Sequence, residues 1–218
     1  DDAHVVGDWS SPEGGWTEAL FPPAKIDLVV QVLREDGVPV ATLLEGTGLD
    51  AARLQDPDYK TSSAQLYALL RRAVHLRWSP DLGRRIGARL RVSAYGMYGY
   101  ALLSAPTMRA AMERGLRFHA LANPLVPIRG VVEDGAVAWH FPARHALMLP
   151  ELDERLYRTL IELQMATHHA LSRDVMGPWF QPDGVSVSWP APPDAAAWRE
   201  AFGAEVRFGQ PRCEMRYP

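Results

Sequence analysis

The spacing of apolar residues predicts several helices along the chain. In residues 24–34 apolar positions recur at three- and four-residue steps, and a second such run begins at Ser62, three residues before Gln65. A serine followed by a glutamine at this spacing is typical of a capping box, in which each side chain satisfies a backbone N–H at the helix N-terminus. A further helix is predicted after Thr107, and a long one over residues 151–176.

After residue 125 the period of the pattern changes from that of a helix to that of a strand. Apolar and polar residues alternate over residues 126–132 and again over 137–141, with Asp134-Gly135 between the two runs. An Asp-Gly pair in this position is typical of a β-hairpin. Alternation in residues 185–189 predicts another strand, and residues 206–215 are predicted to form a last hairpin.

These patterns predict an α+β fold, with an N-terminal helical part followed by a mainly antiparallel sheet of about four to five strands and a long packing helix. Residues 1–23 are rich in Gly, Pro, Ser and Trp and show no period, so we expect a flexible N-terminal arm there. No repeat or break in composition divides residues 24–218, which are therefore predicted to form a single domain.

The stretch from Tyr95 to Pro124 organises the chain. Gly96 and Gly99 lack a Cβ, so they allow one backbone to approach another closely. Pro106 interrupts the segment before it and is tolerated near the start of a new helix. Thr107 is suited to cap that helix, because its hydroxyl can accept a hydrogen bond from a free backbone N–H.

This stretch, YGMYGYALLSAPTMRAAMERGLRFHALANP, follows the segments LLEGTGLDAARLQDPDYKTSSAQLYALL and SPDLGRRIGARL. Together they resemble the N-terminal, arabinose-binding-like sensing domain of AraC-type bacterial transcription regulators. The most specific part is the Gly-Tyr-Ala-Leu-Leu-Ser-x-Pro-Thr-Met-Arg-x-Ala segment that begins at Gly99. The likeness extends from about Leu33 to the end of the chain.

The resemblance implies a domain that senses a small-molecule effector and forms a homodimer. In this family a separate C-terminal helix-turn-helix domain reads DNA, and we expect that domain to be absent from these 218 residues. DNA would then be a partner only through the absent domain. The family name suggests arabinose, but the sequence shows no cluster of carbohydrate-binding polar groups, so the effector stays open.

Composition and charge limit the other functions. The net charge is −3 and the pI is near 6.2, whereas a domain that grips DNA by itself is normally basic. Arginines are dense between Arg71 and Arg91, either as a solvated surface or as a DNA-binding one. The single cysteine, Cys213, excludes an internal disulfide. No run of apolar residues is long enough to predict a membrane span, so we expect a cytoplasmic protein with no membrane partner.

The sequence predicts no metal site, no cofactor and no enzyme activity. The adjacent His168 and His169 would point about 100° apart on a helix and cannot share a metal ion. No Cys-x-x-Cys, Gly-x-Ser-x-Gly or phosphate-binding glycine loop occurs. The alternative that stays open is a stand-alone enzyme of small-molecule metabolism with His119 or His168 as general base.

Polar residues on otherwise apolar faces are the candidates for ligand binding. Pockets for small molecules are apolar concavities with a few convergent polar groups. The residues that fit this description are Tyr98, His119, Trp139, Gln164 and His168. The alternative for each is a hydrogen-bonded residue of the core.

Overall fold

The structure is a computed structural model that describes residues 4–8, 15–133 and 135–218. Its α-helices are α1 (Ala24–Glu35), α2 (Val40–Leu44), α3 (Ser63–Arg77), α4 (Leu82–Gly87), α5 (Met97–Leu103), α6 (Met108–Arg117), α7 (Glu154–Met176) and α8 (Ala195–Phe202). Short 3-10 turns occupy Ala51–Arg53, Val92–Tyr95, His119–Ala122 and Arg144–Ala146. Within the described residues no helix combines the length and the apolar character needed to cross a membrane.

The predicted capping box is confirmed. Ser62 Oγ accepts a hydrogen bond from the Gln65 N–H at 3.2 Å, and the Ser62 N–H donates to Gln65 Oε1 at 3.0 Å. The long helix α7 begins in a similar way, because Asp153 Oδ1 accepts from the Leu156 N–H at 2.8 Å. Local side-chain chemistry therefore fixes where these two helices start.

The strands are β1 (His4–Asp8), β2 (Arg129–Glu133), β3 (Ala136–Phe141), β4 (Gly184–Ser186), β5 (Glu205–Arg207) and β6 (Cys213–Tyr217). In the described part of the chain these six strands form one sheet, in the order β1-β2-β3-β6-β4-β5. Every neighbouring pair is antiparallel except β4 and β5. The predicted α+β class is confirmed, although the sheet has more strands than the four to five that we expected.

The hairpin between β2 and β3 is also confirmed, with Arg129 opposite His140 and Glu133 opposite Ala136. Asp134, the first residue of the predicted turn, lies outside the described residues. Gly135 has a φ of +78°, a conformation that favours glycine.

The predicted last hairpin is wrong. β5 pairs in parallel with β4, so that Val206 lies opposite Val185, and β6 lies between β3 and β4. The helix α8 connects β4 to β5, and a crossover through a helix returns the chain in the same direction. Alternation locates a strand, but it does not select the strand's neighbour.

The structure differs from the predicted N-terminal arm at residues 4–8. These residues form β1, an edge strand antiparallel to β2, with Val5 opposite Val131 and Gly7 opposite Gly130. Residues 4–8, His-Val-Val-Gly-Asp, do not alternate apolar and polar side chains, and the free edge of β2 supplies the backbone partners that organise them. The rest of the segment before residue 15 lies outside the described residues.

The helix α7 joins the helical part to the sheet. On one side it packs against α4 so closely that a Cβ on Gly87 would lie 2.4 Å from the carbonyl oxygen of Leu163. On another side the His168 ring lies 4.5 Å from the ring of Trp139 on β3 and 6.0 Å from that of Tyr217 on β6. A substitution on α7 can therefore alter the packing of both the helical part and the sheet.

Candidate functional site

Two glycines shape the segment around α5. Gly96 has φ +54° and ψ −129°, a backbone conformation that L side chains rarely adopt. At Gly99 a Cβ would lie 2.0 Å from the carbonyl oxygen of Val92. The 3-10 turn that begins at Val92 and the helix α5 are therefore held against each other, as the glycine pair predicts.

The helix α6 follows directly and begins as the sequence predicts. Pro106 lies just before it, and Thr107 Oγ1 accepts a hydrogen bond from the Ala110 N–H at 3.1 Å. The face of α6 that carries Met112 and Gly115 is turned toward α5, β3 and α7. The glycine turn, the proline and the threonine cap thus place two short helices over the sheet.

A cavity lies where α5 and α6 meet β3 and α7. It has a volume of about 90 Å³ counted as space for the centres of water molecules, whereas a single water needs roughly 10–15 Å³ on this measure. A small organic molecule therefore fits. The walls are mainly apolar and include Leu102, Met108, Met112, Leu116, Ile128 and Leu171.

The five residues that the sequence singled out lie together on the walls of this cavity. They are Tyr98, His119, Trp139, Gln164 and His168. Tyr98 is anchored to α6, because its hydroxyl donates to the carbonyl oxygen of Gly115 at 3.3 Å. Their position at one cavity is a structural finding, whereas their contact with a ligand stays a prediction.

Three buried polar atoms on these walls lack a hydrogen-bond partner in the described part of the chain: Trp139 Nε1, Thr167 Oγ1 and His168 Nε2. Leaving such an atom unpaired costs about 1–3 kcal/mol. Gln164, Thr167 and His168 are three and four residues apart, so they share one face of α7. The cavity therefore offers donors and acceptors on an otherwise apolar surface.

Lys25, Tyr95 and Thr167 also line the cavity, and the sequence reasoning missed them. Lys25 Nζ donates to the carbonyl oxygens of Ala122 and Asn123 at 2.7 and 3.1 Å, which ties α1 to the turn beside the cavity. Burial lowers the pKa of Lys25 to about 7. The sequence does contain a signal for Lys25, because a lysine in the first turn of a helix lies at the unfavourable end of the helix dipole.

The two cavity histidines are neutral near pH 7. Burial lowers the pKa of His119 to about 3, with smaller contributions from Lys25 and His168. Burial also lowers the pKa of His168 to about 3, with a smaller contribution from His169. A general base works best when its pKa is near the working pH, so both imidazoles are better suited to hydrogen bonding than to proton abstraction. Among the described residues, no three metal-ligating side chains come together.

The arginine-rich surface on α3 and α4 is largely matched by acidic residues. The pairs are Arg71–Glu151, Arg72–Glu45, Arg84–Asp194, Arg85–Asp36 and Arg89–Glu35. Arg85 and Arg89 each bind both oxygens of their carboxylate, at 2.6–2.9 Å. Because carboxylates already occupy these guanidinium groups, the surface is poorly suited to hold phosphates.

Residues 37–218 match the family described as the arabinose-binding domain of AraC transcription regulator, N-term. The matched region contains α5, α6, the strands β2 to β6 and α7. The chain belongs to this family. The resemblance that the sequence motifs indicated is thereby confirmed, and the fold described above is that of an AraC-type N-terminal domain.

Similar proteins are transcription regulators. The ornithine utilization regulator of Pseudomonas aeruginosa is 26% identical over 196 residues, which cover 90% of this AraC-type chain and 56% of that protein. An HTH-type transcriptional regulator of Mycobacterium tuberculosis is 30% identical over 117 residues, 50% of this chain and 34% of that protein.

The crystal structure of the transcriptional regulator CdpR from Pseudomonas aeruginosa has the same fold. It superposes with a TM-score of 0.66 at 17% sequence identity, over 89% of this chain and 55% of that chain. The AraC-type domain thus spans about half the length of CdpR and of the ornithine utilization regulator.

Proposed function

We propose that this AraC-type domain, a single unit over residues 24–218, binds a small organic effector in the cavity between α5, α6, β3 and α7. Binding favours one arrangement of a homodimer and thereby controls DNA binding by a helix-turn-helix domain outside these 218 residues. The effector shifts that equilibrium only as far as it binds one arrangement better than the other.

The observation that carries this proposal is the group of unpaired polar atoms on the cavity walls. Trp139 Nε1, Thr167 Oγ1 and His168 Nε2 are buried and have no hydrogen-bond partner among the described residues, and the three residues line the same cavity. Buried polar atoms elsewhere, such as Trp198 Nε1 and Arg158 Nε, also lack a partner, so it is the empty space beside these three residues that supports ligand binding here. Hydrogen bonds from an effector would recover the free energy lost by leaving these three atoms unpaired.

The outer face of α5 supports the dimerisation part of the proposal. Met97 and Tyr100 are 81% and 71% exposed, and Leu103 is also exposed, whereas Tyr98 and Leu102 on the inner face line the cavity. Contiguous exposed apolar residues are typical of interaction surfaces. One short helix therefore touches both the effector space and the surface on which a second copy would pack.

A thermal-shift screen with amino acids, sugars, fatty acids and nucleotides tests the proposal, with ornithine and arabinose included because the relative and the family carry those names. A ligand at one hundred times its Kd stabilises the folded state by about 2.7 kcal/mol, which raises Tm by several degrees. The compound should be recovered unchanged, because no turnover is expected. If no compound class raises Tm, the proposal is wrong.

A cavity-filling variant shows where the compound binds. A Cβ on Gly115 would lie 3.5 Å from Leu102 Cδ2 and 3.7 Å from the Tyr98 hydroxyl, so the larger side chain of Gly115→Leu occupies the cavity. The matched control is Glu113→Leu, an exposed position on the same helix. We expect the shift in Tm to persist in Glu113→Leu and to be lost in Gly115→Leu.

Light scattering tests the dimer. We expect a dimer at high micromolar concentration, and dissociation when Tyr100→Glu places a charge on the exposed face of α5. A wild-type domain that is monomeric at this concentration would remove dimerisation from the proposal while leaving effector binding in place.

A further inference from the structure

Lys25 stands out among the residues that line the cavity. Its side chain is half-buried, and Nζ is held by the carbonyl oxygens of Ala122 and Asn123 at 2.7 and 3.1 Å. An ammonium group has three donors, so one N–H is left after these two hydrogen bonds. Carbonyl oxygens solvate the ammonium group but do not neutralise it.

The cavity contains no acidic group to balance this lysine. Among the described residues that line it, none is Asp, Glu or Arg, and Lys25 is the cation. The titratable groups that face the same space are Tyr95, Tyr98, His119 and His168. Burial raises the pKa of both tyrosines and lowers that of both histidines, so these four groups are neutral at pH 7. A half-buried cation without a counter-charge is unfavourable, and an anionic ligand would compensate it.

We infer that the effector is a monocarboxylate with an apolar body and no cationic group, and that its carboxylate pairs with Lys25. The inference rests on the function proposed above and specifies the class of compound. The apolar body would pack against Met108, Met112 and Leu171, and its polar substituents would meet Trp139 and Thr167. An amino acid is disfavoured, because its α-ammonium group would enter the cavity without an acidic partner.

The location of Lys25 also suggests an orientation for the ligand. A smaller cleft is lined by Phe21, Leu90 and Leu121 and shares Lys25, Tyr95 and Ala122 with the main cavity. Lys25 therefore lies at the end of the cavity that adjoins this cleft. A carboxylate at Lys25 would lie at this end, with the apolar body directed toward Met112 and Leu171.

Proton uptake follows from the same arrangement. Burial lowers the pKa of Lys25 to about 7, and a bound carboxylate raises it again. Above pH 7 the free protein loses the proton that the complex needs, so the affinity for a carboxylate falls as the pH rises. Below pH 7 Lys25 is already charged, and the affinity is nearly constant until the ligand's own carboxyl group titrates.

Matched probes test the inference by titration calorimetry. One series is 3-phenylpropanoate, 3-phenylpropanamide and phenylalanine, and the other is hexanoate, hexanamide and norleucine. Within each series the body is nearly constant, while the head group is anionic, neutral or zwitterionic. We expect the carboxylate of at least one series to bind at least about tenfold more tightly than its amide and its amino acid, a difference of about 1.4 kcal/mol. Affinity should fall between pH 6.5 and pH 8.5, by up to about 20-fold where the complex keeps its proton throughout this range.

The variant Lys25→Gln keeps a hydrogen-bond donor but removes the charge. The matched control is Lys60→Gln, because Lys60 is the other lysine of the chain and is exposed. We expect the preference for the carboxylate and its pH dependence to disappear in Lys25→Gln and to persist in Lys60→Gln. The pH dependence of the wild-type protein is a second measurement that does not depend on how well the variant folds.

The two proposals fail in different ways. If amides or amino acids bind as tightly as carboxylates, or if Lys25→Gln keeps the carboxylate preference, the inference is overturned. It is also overturned if both carboxylates fail while a compound from the screen that is not a monocarboxylate binds and is blocked by Gly115→Leu, in which case the proposed function stands. If no compound of any class binds, both are wrong.

Discussion

Two faces of α7 carry buried polar groups in contrasting surroundings. On the face toward α4, Arg84 Nε and Arg158 Nη2 lie 3.9 and 3.5 Å from the carboxyl oxygens of Glu162, and Arg84 also donates to Asp194 at 2.9 Å. On the face toward the cavity, Thr167 Oγ1 and His168 Nε2 are buried without a hydrogen-bond partner among the described residues, and both residues line the cavity.

The two faces of α7 differ in how completely the space beside them is filled. Burial raises the pKa of Glu162 to about 8 although two guanidinium groups lie beside it, so the α4 face is desolvated, and at Gly83 and Gly87 it is filled up to the backbone of α7. The cavity face is desolvated but unfilled. Ion pairs fix the position of one helix against another even where atoms such as Arg84 Nε and Glu162 Oε1 lack a hydrogen bond, whereas neutral polar groups beside a cavity can gain partners when a ligand enters. Three predictions test this distinction.

The largest effect is expected from Gly87→Ala on the filled face. The new Cβ would lie 2.4 Å from the Leu163 carbonyl oxygen and 2.8 Å from the Ala166 Cβ, and the backbones cannot separate without opening the contact between α4 and α7. Overpacking of this kind costs about 3 kcal/mol. Urea denaturation should show the free energy of unfolding reduced by this amount.

The matched control is Gly115→Ala on the cavity side. There the nearest atom to a new Cβ, Leu102 Cδ2, is 3.5 Å away, which is an ordinary contact. Alanine is also the better helix former, by up to about 1 kcal/mol. Equal destabilisation by the two variants would mean that the two faces do not differ in packing.

The second prediction concerns His168, whose pKa burial lowers from 6.5 to about 3. The unfolded chain therefore binds a proton that the folded state does not, so this contribution to stability is complete above pH 6.5 and is lost as the pH falls toward 3. At pH 5 the loss amounts to about 2 kcal/mol. The variant His168→Gln has an uncharged side chain in the folded and unfolded states, so it lacks this pH-dependent contribution to stability.

Urea denaturation of the wild-type protein and of His168→Gln at pH 7.5 and pH 5 measures this loss of stability. Relative to His168→Gln, the wild-type protein should lose about 2 kcal/mol more stability over this interval. Parallel pH profiles for the two proteins would show that His168 is not buried as a neutral group.

Much of this architecture was readable from local sequence signals. The capping box at Ser62 and the cap at Thr107 depend on residues within a few positions of one another. Polar residues on apolar faces led to five positions at one cavity, because a helix or strand face is a local property.

What the sequence did not reveal depends on contacts between distant residues. Lys25 is held beside the cavity by hydrogen bonds to the carbonyl oxygens of Ala122 and Asn123, which lie nearly one hundred positions away in the sequence. The parallel pairing of β5 with β4 and the pairing of β1 with β2 likewise depend on which sheet edge is free. Thr167 gave no signal in the sequence, and only the cavity shows that this residue lines an empty space.

The smallest effect is expected from Thr167→Val, which replaces the unpaired hydroxyl with a methyl group of similar size. Because Thr167 Oγ1 has no partner among the described residues, the free energy of unfolding without effector should stay unchanged or rise by about 1 kcal/mol.

Thr159→Val is the matched change on the same helix. Thr159 Oγ1 donates to the Arg155 carbonyl oxygen at 2.9 Å, so its removal should cost up to about 1 kcal/mol. Thermal denaturation of both variants, with and without a compound that binds the wild-type protein, measures the difference. If Thr167→Val destabilises the unliganded domain as Thr159→Val does, the hydroxyl at the cavity is already paired, and the contrast between the two faces fails there.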